Sequence, residues 1–97
     1  MKNIENVLME GMKETGIPEY MRDGLLSYVL HGLPPGGFLK AVLANDLKGA
    51  VNRADMNNLN AIERYVDFLH KYAPSDCWGN LGKVNSWFEK CGLYETR

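Results

Sequence analysis

Residues 34–37 read Pro-Pro-Gly-Gly and lead directly into Phe38, Leu39 and Lys40. A helix starting there leaves backbone N–H groups unpaired in its first turn, and its dipole adds roughly half a positive charge. Glycines at Gly36 and Gly37 let a phosphate approach those groups closely, and Lys40 sits early enough in the helix to help neutralise it. The run lacks the Gly-Lys-Ser/Thr ending of a Walker A loop, and it is no G-x-G-x-x-G fingerprint after a strand. The competing reading, which the weak motif favours, is a rigid interhelical turn, in which the prolines set the exit and the glycines permit it. A second polar cluster contains Asp46, Lys48, Arg53 and Asp55. Arg53 is its strongest anion ligand, because a guanidinium meets phosphate or carboxylate bidentately. The competing reading is an exposed, salt-bridged helix face. Trp78 is the third feature. A loop tryptophan can stack on a nucleobase at about 1–3 kcal/mol per base, anchor an interface, or plug the end of a bundle. The candidate ligand-binding residues are therefore Gly36, Gly37, Phe38, Lys40, Arg53 and Trp78.

Other chemistry does not assemble. His31, His70, Cys77 and Cys91 show neither C-x₂₋₄-C nor H-x₃₋₅-H spacing, so no metal site is expected. Cys77 lacks a local nucleophile signature and reads as a partly buried thiol. The carboxylates are scattered singly, so paired acid/base work has no anchor. His70 beside Lys71 reads as a partner for a helix C-terminal dipole. No enzymatic role and no cofactor are expected.

These residues sit in a helical frame. Ile4, Val7, Leu8 and Met12 recur at helical spacing, and Gly16 stops that helix. Pro18 suits the first turn of the next, whose apolar stripe is Met21, Leu25, Tyr28 and Val29, with Gly32 beyond its end. The period returns over 38–53, where Gly49 costs about 1 kcal/mol relative to alanine and therefore implies close packing. Asp55 is a good N-cap for a helix carrying Leu59, Ile62, Tyr65, Val66 and Leu69, which Pro74 ends. Residues 75–80 form a turn-rich loop, and 81–90 a last helix with Val84, Trp87 and Phe88 on its core face. No alternating stretch is long enough for a strand. The expectation is a single all-α domain over 1–97, a compact bundle of about five short helices. Its N-terminal helix, 1–16, is expected to be peripheral or oligomerising, and the many apolar edges suit a homo-oligomer.

Composition narrows the partners. The chain has 97 residues, 45% hydrophobic and 24% charged, which is globular rather than disordered. Eleven Lys and Arg against twelve Asp and Glu leave a net charge of -1, so neither a basic duplex binder nor an acidic DNA mimic is indicated. No apolar run approaches ~18 residues, so no membrane span is expected. Residues 1–5 lack a signal-peptide core, and two cysteines are few for a small secreted domain. The expectation is a cytoplasmic protein with free Cys77 and Cys91 thiols, a Cys77–Cys91 disulfide being the alternative.

Residues 17–24 (Ile-Pro-Glu-Tyr-Met-Arg-Asp-Gly), 31–39 (His-Gly-Leu-Pro-Pro-Gly-Gly-Phe-Leu), 41–47, 53–55 and 73–79 carry a resemblance over roughly 17–93. In them the chain resembles a family of small bacteriophage- and prophage-encoded proteins, mostly of unassigned function. The resemblance carries no catalytic residues. It implies a viral protein in the bacterial cytoplasm that counters host defence, by capturing a nucleotide signal or by blocking a host protein. The first expectation is therefore a non-enzymatic oligomer sequestering a small anionic nucleotide at Gly36, Gly37, Lys40 and Arg53. The alternative is a protein–protein module with Tyr20, Trp78 or Tyr94 as anchors. A helix-turn-helix DNA binder built from 38–53 and 55–73 comes third, and its mixed charge argues against nucleic acid.

Overall fold

Side-chain caps and left-handed residues divide the chain. The computed structural model describes residues 3–95; Met1, Lys2, Thr96 and Arg97, part of the domain expected over 1–97, lie outside the described residues. Asn3 caps α1 (Ile4–Thr15) by accepting from the Asn6 N–H at 3.0 Å. Gly16, at φ 82°, ends it. Pro18 immediately precedes α2 (Glu19–His31), and Gly32 at φ 66° closes that helix. These boundaries follow the sequence punctuation.

The next two expected helices are each broken, so the described residues hold seven α-helices and one 3₁₀ turn instead of five helices, and no strand. The stretch expected as one helix over 38–53 is α3 (Gly37–Leu43) and α4 (Leu47–Arg53). Asn45 adopts φ 61°, and the Asp46 N–H reaches back to the Ala41 carbonyl at 2.8 Å, the six-to-one bond of a helix stop. Asp46 then caps α4, its Oδ1 accepting from the Gly49 N–H at 3.0 Å. Stop and start fall on adjacent residues, so the chain reverses and α3 packs on α4. The stretch expected over 55–73 is α5 (Met56–Asn60) and α6 (Ile62–Lys71), joined at the fully buried Ala61. Asp55 does cap it, accepting from the Asn58 N–H at 2.7 Å. Buried Asn58 is satisfied in turn by the Tyr65 hydroxyl at 2.6 Å.

After the Ser75–Cys77 turn, α7 (Leu81–Lys90) runs back to α2. The core gathers Leu8, Met12, Ile17, Leu25, Tyr28, Leu43, Tyr65, Phe68, Val84 and Trp87. The Tyr28 hydroxyl donates to the Cys77 carbonyl at 2.6 Å, tying α2 to the loop. The C-terminal segment completes α2. Trp87 Nε1 donates to the Tyr28 and Val29 carbonyls at 2.9 and 3.2 Å, and the Leu93 and Tyr94 N–H groups reach the Val29 and Leu30 carbonyls, both at 2.9 Å. The end of α2 thus has its last carbonyls satisfied from far along the chain. Close approach requires Gly92: a Cβ there would stand 2.6 Å from the His31 nitrogen and 2.7 Å from the Leu30 carbonyl carbon.

Candidate functional site

The turn at Asn45–Asp46 has a consequence for the polar residues. By folding α4 back on α3 it brings Arg53, at the end of α4, over Gly37, at the start of α3. A Cβ on Gly37 would lie 3.0 Å from Arg53 Cδ and 3.3 Å from its Nε. The absent side chain is therefore the space that the arginine stem occupies. One residue type at Gly37 positions a cation that lies sixteen residues away in the sequence.

Between α3, α4 and the start of α7 lies an open cleft of about 410 Å³, lined by Gly37, Lys40, Ala41, Ala44, Asp46, Arg53 and Leu81. Three of the six expected ligand residues, Gly37, Lys40 and Arg53, are brought together there. Among the described residues, neither Lys40 nor Arg53 is ion-paired. Among the described residues, the Arg53 side chain makes only a long hydrogen bond, from Nη1 to the Gly49 carbonyl at 3.4 Å. Asp46 lines the cleft, with Oδ1 committed to its cap and Oδ2 standing over Gly49 on the side where Arg53 Nη1 also lies. The arrangement offers two cations to an anionic group and one acceptor to a hydroxyl or amine beside it.

The other three expected residues stand differently. Gly36 is exposed at the N-cap of α3, and a Cβ there would meet nothing within 4 Å. The Phe38 side chain is 6% exposed and meets Tyr65 edge-on with ring centroids 5.4 Å apart, so it serves the core. Trp78 is half-buried against the core and does not line the cleft. Its loop is fastened to α3 by the Gly79 N–H, which donates to the Leu43 carbonyl at 2.8 Å. At the start of α3, a helix of only seven residues, Gly37 is exposed and has the arginine stem on its Cβ side, so the side-chain cations stand beside the backbone N–H groups there.

The reading of 46, 48, 53 and 55 as a salt-bridged face does not hold, since none of these four forms an ion pair among the described residues. Asp55 instead accepts from the Tyr20 hydroxyl at 2.6 Å. That bond and the backbone N–H groups of Asn58 and Asn57 hold its carboxyl below the usual range. Leu81 and Asp46 complete the cleft but were not among the expected ligand residues. The Asp46-to-Gly49 capping interval was a signal for the latter, and nothing local marks Leu81.

Two other surface clefts carry cations in different settings: Lys83 and Lys90 in one are engaged, whereas Arg64, which lines the other beside Glu63 and Asp67, forms no ion pair among the described residues. In one of about 490 Å³, Lys83 donates to the Ser75 carbonyl at 3.2 Å, while Lys90 lies 4.7 Å above the Trp87 ring and 3.7 Å from Glu95. In one of about 470 Å³ against α6, Asp67 pairs with Lys71 at 3.1 Å. Cys77 and Cys91 are free, and burial pushes the Cys77 thiol up to about 12, where it is not a nucleophile at neutral pH. Among the described residues no three His, Cys, Asp or Glu side chains gather as a metal site, and no helix is long and apolar enough to cross a membrane.

Comparison with known protein families, with curated proteins and with solved structures returns no match.

Proposed function

We propose that this chain is a non-enzymatic binding protein for a small anionic ligand of nucleotide type, held in the Gly37–Lys40–Arg53 cleft. One observation carries the reading: Lys40 and Arg53, neither within ion-pair distance of a carboxylate, line a concave surface that also presents Asp46, whose carboxylate stands with Arg53 Nη1 over Gly49. Phosphate oxygens would take the Arg53 guanidinium and the Lys40 ammonium, where charge-assisted hydrogen bonds are the stronger kind. Asp46 would accept from a ribose hydroxyl or an exocyclic amine. Ala41, Ala44 and the half-exposed Leu81 supply the apolar wall that such sites share. A volume of about 410 Å³ is in the range of small-molecule clefts. The biological setting, a phage protein in the bacterial cytoplasm that withdraws a nucleotide signal from host defence, rests on the family resemblance of residues 17–93.

Two rival readings have less support. Of the three anchors expected for a host-protein module, Tyr20 is bonded to Asp55, Tyr94 meets His31 edge-on at 5.3 Å, and Trp78 is half-buried. For a helix-turn-helix, neither 38–53 nor 55–73 is a continuous helix.

The test is native mass spectrometry of protein purified from bacteria, followed by calorimetric titration with AMP, ADP-ribose and cyclic dinucleotides. A nucleotide-sized excess mass, or binding that Arg53→Glu and Lys40→Glu each abolish without lowering the melting temperature, supports the proposal. A clean protein mass with no binding across the panel refutes it, as does binding that both variants retain.

A further inference from the structure

A second surface lies next to the cleft and shares Ala41 and Asp46 with it. It is a narrow groove of about 60 Å³ between α4 and α6, with Val42, Leu47, Ala50, Ile62 and Val66 along it. Leu47 is 69% exposed and Val66 47%, and Val51, one turn beyond Leu47, is 44% exposed. Leu47 and Val51 are four residues apart on α4, as are Ile62 and Val66 on α6. Each helix therefore presents a two-turn apolar ridge, one on either side of the groove.

The ridges carry opposite charge on their outer flanks. At 100° per residue, Lys48 follows Leu47 and Val51 around α4 on the side away from the groove. On α6 the same construction places His70, Glu63 and Asp67 beyond Val66, and these three share a surface with Val66 and Arg64. The stem of Arg64 lies toward α1, where a Cβ on Gly16 would be 3.2 Å from its Cδ. Among the described residues Lys48 and Glu63 have no ion pair, and Asp67 has only the exposed bond to Lys71.

We infer that this groove is the seam of a two-fold homodimer, with a second copy of the chain as its occupant. A two-fold axis running along the groove lays the Leu47–Val51 ridge of each copy on the Ile62–Val66 ridge of the other. It also sets each Lys48 against the acidic flank of the opposite α6. An axis across the groove would set Lys48 against Lys48, so charge selects the first orientation. The second copy is the fitting partner because one patch carries both halves of the complement, the property an isologous interface requires. The inference does not depend on the ligand reading, since Arg53 and Lys40 take no part in the seam.

The experiment is sedimentation velocity and light scattering on the ligand-free chain. The wild type should run as a dimer of about 22 kDa, twice the 11.0 kDa chain. Leu47→Glu and Val66→Glu should each give the monomer with unchanged helical circular dichroism, because both side chains are exposed. Lys48→Glu and Glu63→Lys should each weaken dimerisation by about two- to thirtyfold, the range of exposed ion pairs counted twice by symmetry. The Lys48→Glu/Glu63→Lys double variant should recover most of that loss. Arg53→Glu should leave the dimer intact, which separates this result from the fate of the cleft. A monomeric wild type overturns the inference. So does an oligomer that Leu47→Glu and Val66→Glu leave unchanged, or a double variant no better than the singles.

Discussion

Replacing Gly37 by alanine separates what stabilises the fold from what builds the site. Gly37 is the first residue of α3 and has no positive φ, so alanine fits the backbone. On backbone entropy alone the exchange should stabilise by about 0.4–1 kcal/mol. For a chain of this length that raises the melting temperature by roughly 2–6 °C. The new methyl group, however, would stand 3.0 Å from Arg53 Cδ, where ordinary contact begins at 3.4 Å. The arginine stem must retreat by about 0.4 Å at that atom. The guanidinium, beyond it on the lever, moves further from the position it shares with Lys40. Removing a charge-assisted contact altogether costs about 1.5–3 kcal/mol, or about 10- to 150-fold in affinity. Gly37→Ala displaces the group without deleting it and should cost less, about three- to tenfold. Thermal melts and calorimetry with ADP-ribose and a cyclic dinucleotide, on Gly37→Ala beside Arg53→Ala, measure both effects. Higher stability with weaker binding is expected for Gly37→Ala. Unchanged affinity would refute the positioning argument, and a lower melting temperature would show that Arg53 cannot give way.

Three further outcomes follow from the fold. Gly92→Ala places a Cβ against the backbone of residues 30–32 at a left-handed position, and should cost at least about 3 kcal/mol by chemical denaturation. With the Cys77 thiol raised to about 12 by burial, iodoacetamide at pH 8 should label Cys91 quickly and Cys77 only as the protein opens. Equal labelling rates would contradict the burial. Asp55 has its folded pKa depressed, first by the Tyr20 hydroxyl and then by the N-cap bond. Its contribution is present above the unfolded carboxyl pKa and lost as pH falls through the folded value, so Asp55→Asn should flatten the acid limb of the melting profile.

Much of this molecule follows from local chemistry. Gly16 and Gly32 end helices because a left-handed residue turns the chain away while its own N–H bonds the last carbonyls, and Asp55 begins one because its carboxylate takes an N–H three residues on. Such signals act within a turn of helix and can be read without knowing the fold, as can the all-α class. Lys40 and Arg53 were legible as cations, and Gly37 as a position without a side chain. The apolar period over 38–53 continues in phase across Asn45–Asp46, so periodicity alone reads one helix where capping and a left-handed asparagine make two. That reversal, not the helix start, is what sets Arg53 across Gly37. Only packing decided that Phe38 turns inward to Tyr65 and that Trp78 stays against the core. Likewise, Trp87, Leu93 and Tyr94 satisfy the carbonyls at the end of α2. These contacts join residues dozens of positions apart, and no local preference encodes them. They form because the folded chain must hydrogen-bond its buried polar groups and fill its core at the same time.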